Sequence, residues 1–194
     1  MSGSQLRQLG NIPNLLSSLR LGLGPVLLYI AWQGDHEGFL IVLVIAFLLD
    51  LVDGPIARLT GQVTELGPKL DSWADFSIYL ALPIGVWWLW PEIVIREKAY
   101  VGLAVASVII PTLVGLIKFR TPTSYHTWLT KSAVVCVAIS VIILLMAGPA
   151  WPFRISALLA ILAGLEESLI SMIIREPRSD AKTLFHVIKG KGVK

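Results

Sequence analysis

The sequence predicts an all-α, polytopic integral membrane protein: six transmembrane helices and a short N-terminal interfacial helix, forming one domain over residues 1–194. Three observations predict it. Of the 194 residues, 55% are hydrophobic and only 15% charged, where an ordinary soluble domain has about 25% charged residues. The mean hydropathy is +0.75. The apolar residues also gather into six runs separated by short polar connections, each run near the ~20 residues that cross ~30 Å of hydrocarbon as a helix.

The elements follow in order. Residues 1–10 are polar and Arg20 interrupts the first apolar run, so the opening does not read as a cleavable signal peptide. Residues 11–18 are expected to begin as an interfacial helix that leads into a first span at 15–33. The other spans are expected at 39–59, 71–90, 99–117, 130–148 and 153–174. Pro83 and Pro111 fall inside the third and fourth and are expected to kink them, a distortion tolerated when neighbouring helices resatisfy the freed carbonyls. No soluble domain, long linker, low-complexity tract or internal repeat is apparent. The single cysteine, Cys136, lies in an apolar run; it rules out an intrachain disulfide and reads as a small core hydrophobe.

Lysine and arginine placement sets the orientation. With a cytoplasmic N-terminus, Arg7, Arg20, Arg58, Lys69, Lys118, Arg120, Lys131, Arg175, Arg178, Lys182, Lys189, Lys191 and Lys194 fall on that side, and only Arg96, Lys98 and Arg154 on the other. Such a bias puts both termini in the cytoplasm. Trp32, Trp87, Trp88, Trp90 and Trp151 then gather at the opposite ends of their spans, as an aromatic belt does. The net charge of +3 is explained by topology and a solvated tail, with attraction to anionic headgroups the functional alternative. Nucleic-acid binding is excluded for want of an aromatic and basic module.

Residues 50–75 read DLVDGPIARLTGQVTELGPKLDSWAD. Asp50 and Asp53 stand at i, i+3 and Asp71 and Asp75 at i, i+4, so on helices each pair shares one face, with Cβ atoms roughly 5–6 Å apart. Two such helices facing each other converge four carboxylates. Ionisable groups in apolar segments are costly unless they meet a cavity, a partner or an ion, and divalent cations hold such a cluster ionised. Hard oxygen ligands suit Mg²⁺ or Mn²⁺, with Ca²⁺ a competitor. Gly54, Ala57 and Gly67 permit close approach to the backbone, and Arg58 offers a fork suited to phosphate. The chemistry suggested is metal-assisted phosphoryl-group transfer. A cation-coupled transporter is the rival class, since membrane carboxylates are its usual equipment, but it leaves Gly54, Ala57, Arg58 and Gly67 unexplained.

The spacing D-x2-D-G-x2-A-R-x8-G-x3-D-x3-D resembles, at all eight positions, the signature of the CDP-alcohol phosphatidyltransferases, membrane enzymes of phospholipid synthesis. The opening NIPNLLSSLRLGLGP, residues 11–25, is similar to the phosphatidylglycerophosphate synthase and cardiolipin synthase branch. The resemblance implies a phosphatidyl group passing from CDP-diacylglycerol to a small alcohol with release of CMP. It also implies a magnesium or manganese site, of two ions, on Asp50, Asp53, Asp71 and Asp75. Asp75 is then the general base, and Asp53, Gly54, Ala57, Arg58 and Gly67 bind the nucleotide and diphosphate. Further implications are a homodimer, a cytoplasm-facing site and a bacterial inner or plasma membrane. Glycerol 3-phosphate is the leading acceptor. That branch usually ends the motif Asp-Pro-x-Ala-Asp-Lys, whereas Asp71, Ser72, Trp73, Ala74, Asp75 and Phe76 stand here, which keeps serine and inositol phosphate open as alternatives.

Outside the motif, residues 118–131 place Lys118, Arg120, His126 and Lys131 on the aspartate side of the membrane. The first two and Lys131 are candidates for acceptor phosphate, against a plain basic loop; His126 reads as a loop histidine. Glu166 and Glu167 fall inside the sixth span, where a neighbouring helix or Arg154 or Ser168 is expected to satisfy them. Arg20 is expected to snorkel to the cytoplasmic surface, with a reach into the aspartate cavity the alternative.

Overall fold

A computed structural model describes residues 12–60, 67–119 and 127–174, all helices and short connections. Seven helices are present among them: α1 (Ile12–Trp32), α2 (His36–Thr60), α3 (Gly67–Leu89), the short α4 (Pro91–Arg96), α5 (Lys98–Phe119), α6 (Trp128–Leu145) and α7 (Trp151–Ile173). The expected spans lie on α1, α2, α3, α5, α6 and α7. Four of these, α1 from Asn14, α5, α6 and α7, are long and apolar enough to cross a membrane. Helices α2 and α3, at 25 and 23 residues, are long enough at 1.5 Å per residue but carry the aspartates. Residues 12–18 run into the first span as one helix, so no separate interfacial helix stands there; its expected beginning at residue 11 lies outside the described residues. Pro83 and Pro111 are accommodated inside continuous helices, as is Pro25.

The chain divides into two compact units, residues 1–94 and 95–194. In the first, α1 packs against both α2 and α3. The buried stripe of α1 runs Asn14, Ser17, Arg20, Gly24, Leu27, Ala31, a spacing of three and four that keeps one face inward. It is polar at the start of the helix and apolar at its end. Gly24 is where α1 and α3 come closest: a Cβ there would collide with the Ser77 side chain and lie 3.0 Å from the Ser77 carbonyl oxygen. Ser77 Oγ donates to the Leu21 carbonyl across the same contact at 3.1 Å. Without a hydrophobic drive between helices in lipid, this close backbone approach is what holds them. The α1–α2 turn requires Gly34, at φ 76°, where a side chain is disfavoured; Asp35 Oδ1 then accepts from Gly38 N at 2.9 Å and starts α2.

The second unit is organised on α7, which packs against α5 and α6. Half of its spanning stretch is buried, against 11% for α5. The reason is a small residue every fourth position, Ser156, Ala160, Gly164, Ser168, the pattern that lets membrane helices touch. Gly164 meets the α5 backbone: a Cβ there would lie 2.6 Å from the Ser107 carbonyl oxygen. Toward α6, Ala160 and Ala163 pack on Ala133, and Ser140 and Ser156 share a buried hydrogen bond of 2.6 Å.

Two surface expectations change. Cys136 is exposed on α6 and is not a core residue; the run around it is apolar all round, so its apolarity marks a span and not an interior. Trp32, Trp87, Trp88 and Trp151 are exposed. Trp90 instead packs edge-on against His36 and Phe39, with ring centroids at 4.7 and 5.8 Å.

Candidate active site

The first unit brings three of the four aspartates together. Asp50 continues the buried stripe Phe39, Leu43, Ala46 of α2, and Asp71 and Asp75 occupy successive turns near the start of α3. One carboxylate oxygen of each can be chosen so that the three lie within 4.8 Å of one another. Asp53, Gly54, Ala57 and Arg58 fall in the last turns of α2, but their side chains lie outside the described residues. Gly67 is the first residue of α3.

At the centre of the three carboxylates is Arg20. It does not snorkel: it is 1% exposed. Its Nη1 donates to Asp50 Oδ1 at 2.5 Å, and Nη2 donates to Asp71 Oδ1 at 2.5 Å and Asp75 Oδ1 at 2.8 Å. The Asp71 carbonyl oxygen lies 3.4 Å from Nη2. The fixed fork of a guanidinium allows one side chain to bind three carboxylates from two helices. The packing places it there, because Arg20 stands one turn before the Gly24 contact and Asp75 two residues before Ser77.

Of the two readings the sequence allows for Arg20, the structure shows the reach into the aspartate cluster and not the snorkelling one. Taken alone, an arginine six residues into a span reads as snorkelling. The signal that could have found it was the spacing Asn14, Ser17, Arg20, Gly24: polar residues on the face that ends in a glycine, hence on a packed face.

These four groups carry three carboxylates against one guanidinium, leaving an excess of negative charge. Converging hard oxygens with surplus charge fit a divalent ion such as Mg²⁺ or Mn²⁺, which Asp50, Asp71 and Asp75 would hold.

The second unit holds the remaining candidates. Lys118 Nζ donates to the carbonyls of Ser171 and Met172 at 2.9 and 2.8 Å, where a cation meets the negative end of α7. Lys131 lies over the Trp128 ring at 5.9 Å. Arg120 and His126 lie outside the described residues. Glu166 and Glu167 on α7 meet a neighbouring helix, α6, as expected. Glu166 Oε2 accepts from Thr127 Oγ1 at 3.1 Å and Glu167 Oε1 from Thr130 Oγ1 at 2.8 Å, at the positive end of α6. Arg154 instead grips Glu97, a residue 1% exposed, through Nε at 2.8 Å and Nη2 at 2.9 Å. These hydrogen bonds hold the Glu97 carboxyl below its ordinary 4.5; burial opposes them and Arg96 adds to them.

An integral membrane protein whose paired helices gather aspartates around a basic fork is the class that fold and site define. The chain belongs to the CDP-alcohol phosphatidyltransferase family, whose model matches residues 10–166. It is 40% identical over 65 residues to a CDP-diacylglycerol–glycerol-3-phosphate 3-phosphatidyltransferase of Aquifex aeolicus, covering 34% of this chain and 36% of that protein. It is 49% identical over 65 residues to a cardiolipin synthase (CMP-forming) of Rattus norvegicus, covering 33% and 22%. To a cardiolipin synthase (CMP-forming) of Streptomyces coelicolor it is 29% identical over 109 residues, covering 50% and 51%. The chain thus spans about half or less of the length of these relatives. No solved structure matches it.

Proposed function

We propose that the protein transfers a phosphatidyl group from CDP-diacylglycerol to a small alcohol and releases CMP, with glycerol 3-phosphate the leading acceptor. The observation that carries this reading is the convergence of Asp50, Asp71 and Asp75, from two helices, in a chain of this family. The acceptor hydroxyl attacks the phosphorus that bears the diacylglycerol, its proton passes to Asp75, and the bond to the CMP oxygen breaks. Asp50, Asp53, Asp71 and Asp75 would hold two Mg²⁺ or Mn²⁺ ions. Bound divalent ions supply neutralisation of the charge that develops on the departing phosphate. Gly54, Ala57, Arg58 and Gly67 line the nucleotide and diphosphate pocket, and Lys118, Arg120 and Lys131 are the candidates for acceptor phosphate.

The same reading takes the chain as a single domain of six spans, with α2 and α3 as the two charged ones. Both termini and the aspartates face the cytoplasm of a bacterial inner or plasma membrane, and two copies form a homodimer. The bias in lysine and arginine placement supports the orientation. Names among the relatives support a glycerol-phosphate acceptor over serine or inositol phosphate, and favour cardiolipin formation as the second reading. The test is purified protein with CDP-diacylglycerol and a panel of acceptors, the lipid products read by mass. A phosphatidylglycerophosphate product supports the first reading, cardiolipin the second; no lipid product with any acceptor contradicts both.

A further inference from the structure

Arg20 raises a question that the proposed function leaves open, because a guanidinium and a divalent ion seek the same oxygens. Its Nη1 and Nη2 engage Oδ1 of Asp50, Asp71 and Asp75, the carboxylates whose oxygens approach one another within 4.8 Å. Magnesium draws its ligands to about 2.0–2.1 Å. A cation arriving there reaches half-exposed carboxylates but meets the fixed positive charge of Arg20, which is buried behind them. Like charges this close disfavour one another strongly. In the absence of metal, however, three carboxylates at this separation need a cation to remain ionised together, and Arg20 is that cation.

We propose that Arg20 is a resident counter-cation of the aspartate cluster, which gives up its carboxylate contacts when divalent ions bind and turns to the diphosphate of the donor. This rests on the metal-dependent transfer proposed above. The chemistry is complementary at each stage. The guanidinium fork matches carboxylate and phosphate alike, and a donor diphosphate brings in negative charge just as the metals take over the aspartates. A long side chain from α1 serves this role better than one on α2 or α3, since its movement leaves the ligand-bearing helices in place. Metal and donor therefore bind with mutual help, each reducing the cost of moving Arg20.

The experiment measures Mn²⁺ affinity by the paramagnetic resonance of free Mn²⁺, with protein in lipid nanodiscs, with and without CDP-diacylglycerol. It compares the unaltered chain, Arg20→Gln and Arg20→Lys. Arg20→Gln is expected to bind Mn²⁺ about tenfold or more tightly without donor, the size of effect a neighbouring charge exerts, and to lose most of the tightening that donor brings. Arg20→Lys, which keeps the charge but not the fork, is expected to fall between the two. Equal or weaker Mn²⁺ binding in Arg20→Gln overturns the proposal and makes Arg20 a residue that orients the ligands. Should Arg20→Gln not fold, Arg20→Lys decides by the same sign: tighter binding than the unaltered chain supports the exchange, equal or weaker binding overturns it. Absence of Mn²⁺ binding in every form also overturns it. CMP release by the unaltered chain is measured alongside. If release is absent while the affinities shift as expected, the transfer reading fails and the exchange stands; if release is present without the shift, only the exchange fails.

Discussion

Arg20 on α1 donates to Asp75 on α3 across 2.8 Å, and this bond joins the first helix to the last aspartate of the motif. It exists because Gly24, one turn along α1, lets the two backbones close against Ser77. Packing and chemistry are therefore linked through one glycine. Gly24→Leu is expected to push α1 from α3, lower stability by about 1–3 kcal/mol as overpacking does, and lower transfer activity with it. Thermal unfolding in detergent, followed beside CMP release, checks both; an unchanged midpoint would contradict the packing described.

The Glu97–Arg154 pair gives a pH dependence whose sign can be worked out. Its hydrogen bonds hold the Glu97 carboxyl below 4.5, so the unfolded chain takes up the proton before the native one. The stabilisation is present above that ordinary value and is lost as pH falls through the lower folded value. The unfolding midpoint should thus be insensitive to this pair near neutrality and drop on acidification below 4.5. Arg154→Leu leaves a buried carboxylate poorly paired, which costs most when its partner is removed. That variant should already be destabilised at pH 7, and Glu97→Gln in the same chain should recover part of the loss.

Thr130 is the donor that satisfies Glu167, a carboxyl 7% exposed on α7. Thr130→Ala is expected to cost about 1–3 kcal/mol, the penalty of leaving a buried acceptor unmade, whereas Thr130→Ser should cost much less. Equal effects of the two in thermal unfolding would show that the methyl group, and not the hydrogen bond, matters.

Much of the architecture was legible because hydropathy in a membrane protein is a direct record of position. The expected span 99–117 lies within α5 and 39–59 within α2, and the spacing of Asp71 and Asp75 placed both on one helix. What the residues could not disclose was which face of each span is packed. Arg20 and Cys136 were both hard to place for that reason: apolar neighbours surround lipid-facing and helix-facing positions alike. For Arg20 the buried stripe through Gly24 is the distinguishing mark, and its meaning depends on Ser77, which is distant in sequence. For Glu166 and Glu167 a neighbouring helix was legible, but not which residues of it, since their threonine partners lie 39 and 37 residues away.

The membrane orientation is open to a labelling test. Cysteines introduced at the exposed Gln33 and at Gly192, in a chain lacking Cys136, should react with an impermeant reagent from opposite faces of the membrane, as an N-terminus and C-terminus in the cytoplasm require. Labelling of both from one face would contradict the six-span arrangement.

Asp75 and Asp50 should separate in function. Asp75→Asn keeps the size and removes the basicity, so turnover should fall by on the order of 10²–10⁴, the range for loss of a general base, while CDP-diacylglycerol binding is largely kept. Asp50→Asn should weaken donor binding as well. Equal loss of donor binding in the two variants would mean that the aspartates act as a single ligand unit.

The most direct test of the aspartate site is the rate of CMP release from CDP-diacylglycerol by the purified protein, with Mg²⁺ or Mn²⁺ supplied and then removed by a chelator. Release should require the ion, disappear in chelator and return when metal is added back. Undiminished release in chelator, from protein shown by elemental analysis to carry no metal, would contradict metal-assisted transfer at Asp50, Asp71 and Asp75.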